Sequence, residues 1–166
     1  ECEAIGATTQ KCMAGHAKIK KMMQEVHASY ASELSMHFFF GEWHNMESTD
    51  YCLLLILQML SREQVPMSRM TAHLARYAHS GEINFEIENK DEVMQALRDR
   101  YMPQAVETID LDGVWIRLPW GWFNVRKSNT EPVIRLNVET TSPELLQEKV
   151  TEIQSLIEQM GGRLHR

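Results

Sequence analysis

The pattern of apolar and polar positions changes character halfway along the chain. In the first half, Ile19, Met22, Met23 and Val26 recur at three- and four-residue spacing between Lys18, Lys20 and Lys21, which predicts an amphipathic helix over Ala17–Glu25. His27–Leu34 is short and reads as a strand running into a loop. Phe38-Phe39-Phe40, halted by Gly41, reads as a strand end or a buried loop. Ser48–Leu60 predicts a buried helix, with Ser48 as N-cap and Tyr51, Leu54, Leu55 and Gln58 on successive turns. Pro66 closes that stretch, and Ser68–Tyr77 predicts one more short helix.

After Ser80-Gly81 the period shifts. Ile83, Phe85 and Ile87 alternate with Asn84, Glu86 and Glu88, the pattern of a half-buried strand. Asp91–Tyr101 predicts a helix with Val93, Met94 and Leu97 on one face. Short strands follow at Thr108–Leu111, Val114–Leu118 and Trp122–Val125, with Asp112-Gly113 as a hairpin turn. Residues 133–138 alternate again as a strand. Ser142-Pro143 then starts a last helix, Ser142 as cap and Pro143 at its first position, and Gly161-Gly162 ends it. Residues 82–166 thus read as a complete α+β module. Residues 1–81 read as the tail of an α/β unit with too few strands for a sheet.

Length and charge narrow the function. The 166 residues suit one domain, or two small ones, and carry 17 Lys+Arg against 23 Asp+Glu, a formal charge of -6. That balance argues against nucleic acid as a bulk partner, which needs a basic face, but leaves room for a local phosphate site. The most apolar run, Leu53–Leu57, is far short of a membrane span. Cys2, Cys12 and Cys52 are odd in number and lack CxxC spacing, so they read as reduced thiols of a cytoplasmic protein rather than a disulfide or zinc framework. The chain opens on Glu1, not Met, which suggests a piece of something longer.

Three stretches have the residue types for chemistry. In Gly121–Pro132 a strand delivers Arg126 into a loop holding Ser128, Asn129 and Thr130. The guanidinium fork suits a phosphate, hydroxyls add donors, and Asn tolerates the left-handed backbone that turns amides toward an anion. The same residues equally suit a solvated turn. In residues 32–37, Glu33 and Ser35 alternate, so in an extended loop they point the same way, toward sugar hydroxyls. His37 adds a group that titrates near neutrality. On residues alone a surface loop is the simpler reading. Gly15-His16 opens the first helix, with Lys20 one turn on. A lone His there is commonly structural, and the lysines a solvated face.

In this order and spacing the three stretches resemble the α-D-phosphohexomutase family, in its phosphomannomutase/phosphoglucomutase branch. Gly15, His16, Ile19 and Lys20 match its Gly-His-x-x-Ile-Lys segment. Glu33, Ser35 and His37 match its sugar-specificity loop. Arg126, Ser128, Asn129, Thr130, Glu131 and Pro132 match its phosphate-binding loop in full. The resemblance implies a TATA-binding-protein-like fourth domain over 82–166, preceded by the incomplete tail of the α/β third domain over 1–81. It implies reversible transfer of phosphate between the 1- and 6-positions of a hexose through a phosphoserine, Mg2+ and a hexose bisphosphate activator. Glu33 and Ser35 would hold sugar hydroxyls, and Arg126, Ser128, Asn129 and Thr130 would clamp phosphate. His16 and Lys20 would contact substrate, and His37 would take part in proton transfer.

The departures are specific. Met36 stands where the family has Gly or Ala, and Glu47-Ser48-Thr49 replaces an Asp-Ser-Gly. The chain lacks the Thr-x-Ser-His-Asn-Pro serine loop and the Asp-x-Asp-x-Asp magnesium loop, so both would lie in the remaining N-terminal mutase domains. The expected function is therefore the substrate-positioning part of a hexose-phosphate mutase, acting with those domains and with neither nucleic acid nor membrane as partner. The alternative is a catalytically inactive homologue that binds a sugar phosphate or another protein.

Overall fold

A computed structural model describes residues 2–33, 35–128 and 131–165. The chain divides into two compact units, Glu1–Met70 and Thr71–Arg166.

In the first unit, helix α1 (His16–Val26) follows Gly15, whose carbonyl accepts from Lys18 and Ile19 amides. Ile19 and Met23 lie one turn apart, so both project from one helix face. They are buried with Phe39, against Cys12, Ala28 and Ala31. His27, in the left-handed region, closes the helix by donating its amide to Met23. Strands β1 (Tyr30–Ser32), β2 (Phe38–Phe40) and β3 (Met46–Glu47) form an antiparallel sheet in that order. This corrects the expectation that residues 1–81 hold too few strands for a sheet. Two tight hairpins let very short strands pair in succession, and such strands leave little periodic signal.

Helix α2 (Thr49–Glu63) starts where expected: the Ser48 Oγ accepts the Tyr51 amide at 3.1 Å. Its burial differs from the expectation. None of its residues is fully buried, and Leu53, Leu54, Leu57 and Met59 are exposed, Leu54 at 62%. The buried cluster of this unit comes from α1 and β2, and α2 meets β2 through Tyr51, whose ring lies 4.8 Å from that of Phe40. Helix α3 (Met67–Thr71) gives way to a 3-10 turn at Ala72–Leu74, short of the predicted end at Tyr77.

The second unit is a seven-stranded antiparallel sheet. Its strands are β4 (Ala78–His79), β5 (Ile83–Glu86), β6 (Glu107–Ile109), β7 (Val114–Leu118), β8 (Gly121–Lys127), β9 (Val133–Thr140) and β10 (Arg163–Leu164). The order is β10-β5-β9-β8-β7-β6, and β4 also pairs with β9. The Ser80-Gly81 punctuation falls between β4 and β5, where Ser80 exchanges bonds with the Val138 backbone: its amide donates to the carbonyl and its Oγ accepts the amide.

Helices α4 (Lys90–Tyr101) and α5 (Pro143–Gln159) share one core with the sheet. Val93, Leu97 and Tyr101 from α4 and Ile153 and Ile157 from α5 meet Phe85, Ile116, Phe123, Val125, Leu136 and Val138, all buried. Two helices against one antiparallel sheet make the α+β architecture predicted for this half. The Ser142 cap is present, its Oγ accepting from Leu145 at 3.2 Å. Among the described residues no helix is long and apolar enough to cross a membrane.

Candidate functional site

The first unit gathers His16, Glu33, Ser35 and His37. The β1–β2 ladder ends at Ser32 opposite Phe38, and the chain turns within residues 33–37. The Glu33 amide donates to the His37 carbonyl and the Met36 amide to the Glu33 carbonyl, both at 3.1 Å. This is a tight turn, not the extended loop expected. Glu33 and Ser35 converge because both reach His37 Nδ1: Glu33 Oε1 lies 2.9 Å from it and Ser35 Oγ 2.9 Å. The turn needs a left-handed residue, and Met36 fills that place with φ +68°. That is the physical reason Gly suits the position better.

His16, from the start of α1, meets the loop edge-on. Its ring lies 4.9 Å from that of His37 and 5.1 Å from the buried Phe39. Its Nε2 is 3.2 Å from Glu47 Oε2 on β3. Glu47 was visible to sequence reading only as a departure in the stretch after the sugar loop. Its pairing with Phe39 across β2 and β3 brings it to the cluster. Lys20 is half-buried on α1, one turn beyond His16.

The second unit brings charged side chains of β8, β9 and the loop between them together. Arg126 at the end of β8 pairs across the ladder with Arg135 on β9. Two guanidinium groups directly opposite repel one another. Glu82, ahead of β5, lies between them: Oε2 is 3.1 Å from Arg126 Nη2 and Oε1 3.2 Å from Arg135 Nη1. Arg135 Nη2 also pairs with Glu131 at 2.7 Å and donates to Ser128 Oγ at 3.3 Å. Ser128 Oγ accepts the Glu131 amide as well, and the Ser128 amide donates to the Val133 carbonyl, which folds the loop back onto β9. Arg135 Nε is buried with no acceptor among the described residues.

Arg126 and Ser128 are linked through Arg135, by way of Glu82 for the first and directly for the second, while Asn129 and Thr130 lie outside the described residues. Arg135 and Glu82 are residues that sequence reading missed.

A magnesium site was expected outside this chain. Asp110, the nearest approach to an acidic motif, is tied to Arg98 by two hydrogen bonds, one of 3.0 Å, and that pairing holds its carboxyl below the usual carboxylate range. It does not fit a magnesium ion, which wants free oxygen ligands.

Both halves of the chain match family models. Residues 1–77 match phosphoglucomutase/phosphomannomutase alpha/beta/alpha domain III, and residues 82–155 match the phosphoglucomutase/phosphomannomutase C-terminal domain. A phosphomannomutase of Methanocaldococcus jannaschii is 38% identical over 98% of this chain and 36% of its own length. A phosphomannomutase of Escherichia coli is 36% identical over 83% of this chain and 30% of its own. A crystal structure of a phosphoglucomutase/phosphomannomutase family protein from Burkholderia thailandensis superposes with a TM-score of 0.80 at 25% identity, covering 98% of this chain and 35% of that one. The chain belongs to the phosphoglucomutase/phosphomannomutase family, and it spans about a third of the length of the curated relatives it matches.

Proposed function

We propose that this chain is the substrate-positioning part of a phosphomannomutase/phosphoglucomutase. Residues 1–81 serve as the tail of its third domain and 82–166 as its fourth. The observation that carries the reading is the paired Arg126 and Arg135 with a carboxylate between them and a buried Arg135 Nε that finds no acceptor among the described residues. Two such forks suit a phosphate dianion better than a single carboxylate, because each can offer parallel N–H donors. Ser128, Asn129 and Thr130 complete that clamp. Glu33 and Ser35 accept or donate to sugar hydroxyls, and His16 and Lys20 contact substrate. His37 moves a proton at Nδ1, the atom that Glu33 and Ser35 both contact.

Phosphoryl transfer depends on positioning and electrostatics. In this reading the phosphoserine and the Mg2+ belong to domains outside this chain, and a hexose bisphosphate primes the whole enzyme. The thiols of Cys2, Cys12 and Cys52 are free, which suits a reducing cytoplasm. The expected experiment is calorimetric titration of the chain with mannose 1-phosphate and glucose 1-phosphate. Binding should be saturable and lost in Arg126→Ala. Undiminished binding by that variant removes Arg126 from the site, and mutase turnover by the chain alone overturns the division of labour.

A further inference from the structure

The cluster in the first unit has a second chemical capacity. One ligand atom each from His16, Glu33 and His37 lies within 4.8 Å of the others, and no other such group of His, Cys, Asp or Glu occurs among the described residues. Glu47 reaches the same histidine from β3. We propose that His16, Glu33 and His37 bind a divalent transition-metal ion of the zinc class, with Glu47 available as fourth ligand.

The donor set is the first argument. Two imidazoles and a carboxylate are a recurring set for zinc and its neighbours, whereas magnesium and calcium want oxygen alone. Spacing is the second. The Glu33–His37 and His16–Glu47 contacts, at 2.9 and 3.2 Å, are close to the about 3.4 Å edge of a tetrahedron with bonds of about 2.1 Å. Closing the wider 4.8 Å separation needs side-chain rotation only, since His16 and His37 are both partly exposed. Placement is the third. The ligands come from the start of α1, a hydrogen-bonded turn and a paired strand, and His16 rests on buried Phe39. A bound ion occupies Glu33 and His37 and so excludes the sugar. That last consequence rests on the proposed function, while the metal site does not.

The test uses the purified chain, stripped with chelator and dialysed, then titrated with Co2+ while visible d–d absorption is followed. One Co2+ per chain should bind with a tetrahedral or five-coordinate spectrum and be displaced by Zn2+. His16→Ala and His37→Ala should each weaken binding by at least the roughly tenfold that loss of even an outer partner causes at metal sites. Far-UV circular dichroism checks that both variants fold. A chain with Cys2, Cys12 and Cys52 all changed to Ser should bind Co2+ as before. Absence of saturable binding, binding indifferent to both histidines, or binding lost with the cysteines overturns the assignment. In a second arm, Zn2+ should weaken mannose 1-phosphate binding, and equal affinity with and without Zn2+ overturns the exclusion. Sugar phosphate that binds in neither condition defeats the functional reading and leaves the metal assignment supported by the cobalt spectrum.

Discussion

Glu82 Oε2 lies 3.1 Å from Arg126 Nη2, a carboxylate set on the guanidinium near the end of β8. Its other oxygen is 3.2 Å from Arg135, so one side chain bridges both arginines of a cross-strand pair. A phosphate entering the proposed clamp would compete with Glu82. Glu82→Gln keeps the shape and removes the charge. Its expected effect is a phosphate affinity several-fold higher at low salt, in line with the about 0.2–1 kcal/mol typical of partly exposed ion pairs. The free protein should lose stability by a similar amount, because the arginines then repel. Calorimetric titration with inorganic phosphate, beside thermal unfolding, reads both. Unchanged or weaker phosphate binding would take Glu82 out of the anion seat.

Met36 concerns the other loop. It holds φ +68° and its side chain is 64% exposed, so it contributes strain and little packing. A left-handed residue costs roughly 1–2 kcal/mol where Gly pays almost nothing, and the greater freedom of Gly when unfolded returns part of that. Met36→Gly should therefore stabilise the chain by up to about 1 kcal/mol. Urea unfolding measures it, and a loss of stability would mean that Met36 packs in solution.

The second unit was legible because its signals are local. Ser142-Pro143 marks a helix start, Asp112-Gly113 a hairpin, and the alternation at Ile83, Phe85 and Ile87 a strand, and each stands where the sequence puts it. Arg126 and Ser128 were readable from one contiguous motif. Arg135 was not, because its role comes from register. It reads as one more polar position on β9 until Ser128 bonds Val133 and aligns it with Arg126. Counting back from the loop closure would have found it. Glu82 is 44 residues from Arg126 and has no local mark. In the first unit, the apolar period of α2 was visible, but burial depends on what else packs there. Glu33 and Ser35 converge on His37 through a turn and not through the alternation that the sequence suggests.

Gly121 should be the least replaceable residue of the second sheet. It opens β8 directly after the Pro119-Trp120 turn, with φ +150°, and a Cβ built there would overlap the carbonyl oxygen of Glu139 on β9. Both the backbone angle and the close approach exclude a side chain. Gly121→Ala should cost about 2–4 kcal/mol, from strain and overpacking together. Chemical denaturation gives the value, and a change below about 0.5 kcal/mol, the range of an ordinary surface substitution, would show that β8 and β9 separate there at no cost.

Tyr101 predicts a pH dependence. Its ring is buried edge-on against Phe123 at 5.0 Å, and its hydroxyl donates to Glu152 at 2.9 Å. Burial, and then the bond to a carboxylate, push the phenol well above its ordinary range. An acid whose folded pKa is raised stabilises the fold fully below its unfolded pKa of about 10 and loses that contribution as pH climbs toward the folded value. Above that pH the unfolded chain releases the phenolic proton and the folded chain keeps it. Stability should then fall with an extra slope of up to about 1.4 kcal/mol per pH unit. Tyr101→Phe removes this slope. The variant should be about 1 kcal/mol less stable at pH 7, where it lacks the hydrogen bond, and should close that gap as the solution becomes alkaline. Guanidinium unfolding of both proteins across the alkaline range checks it. Parallel stability curves would show that Tyr101 ionises as easily in the folded chain as in the unfolded one.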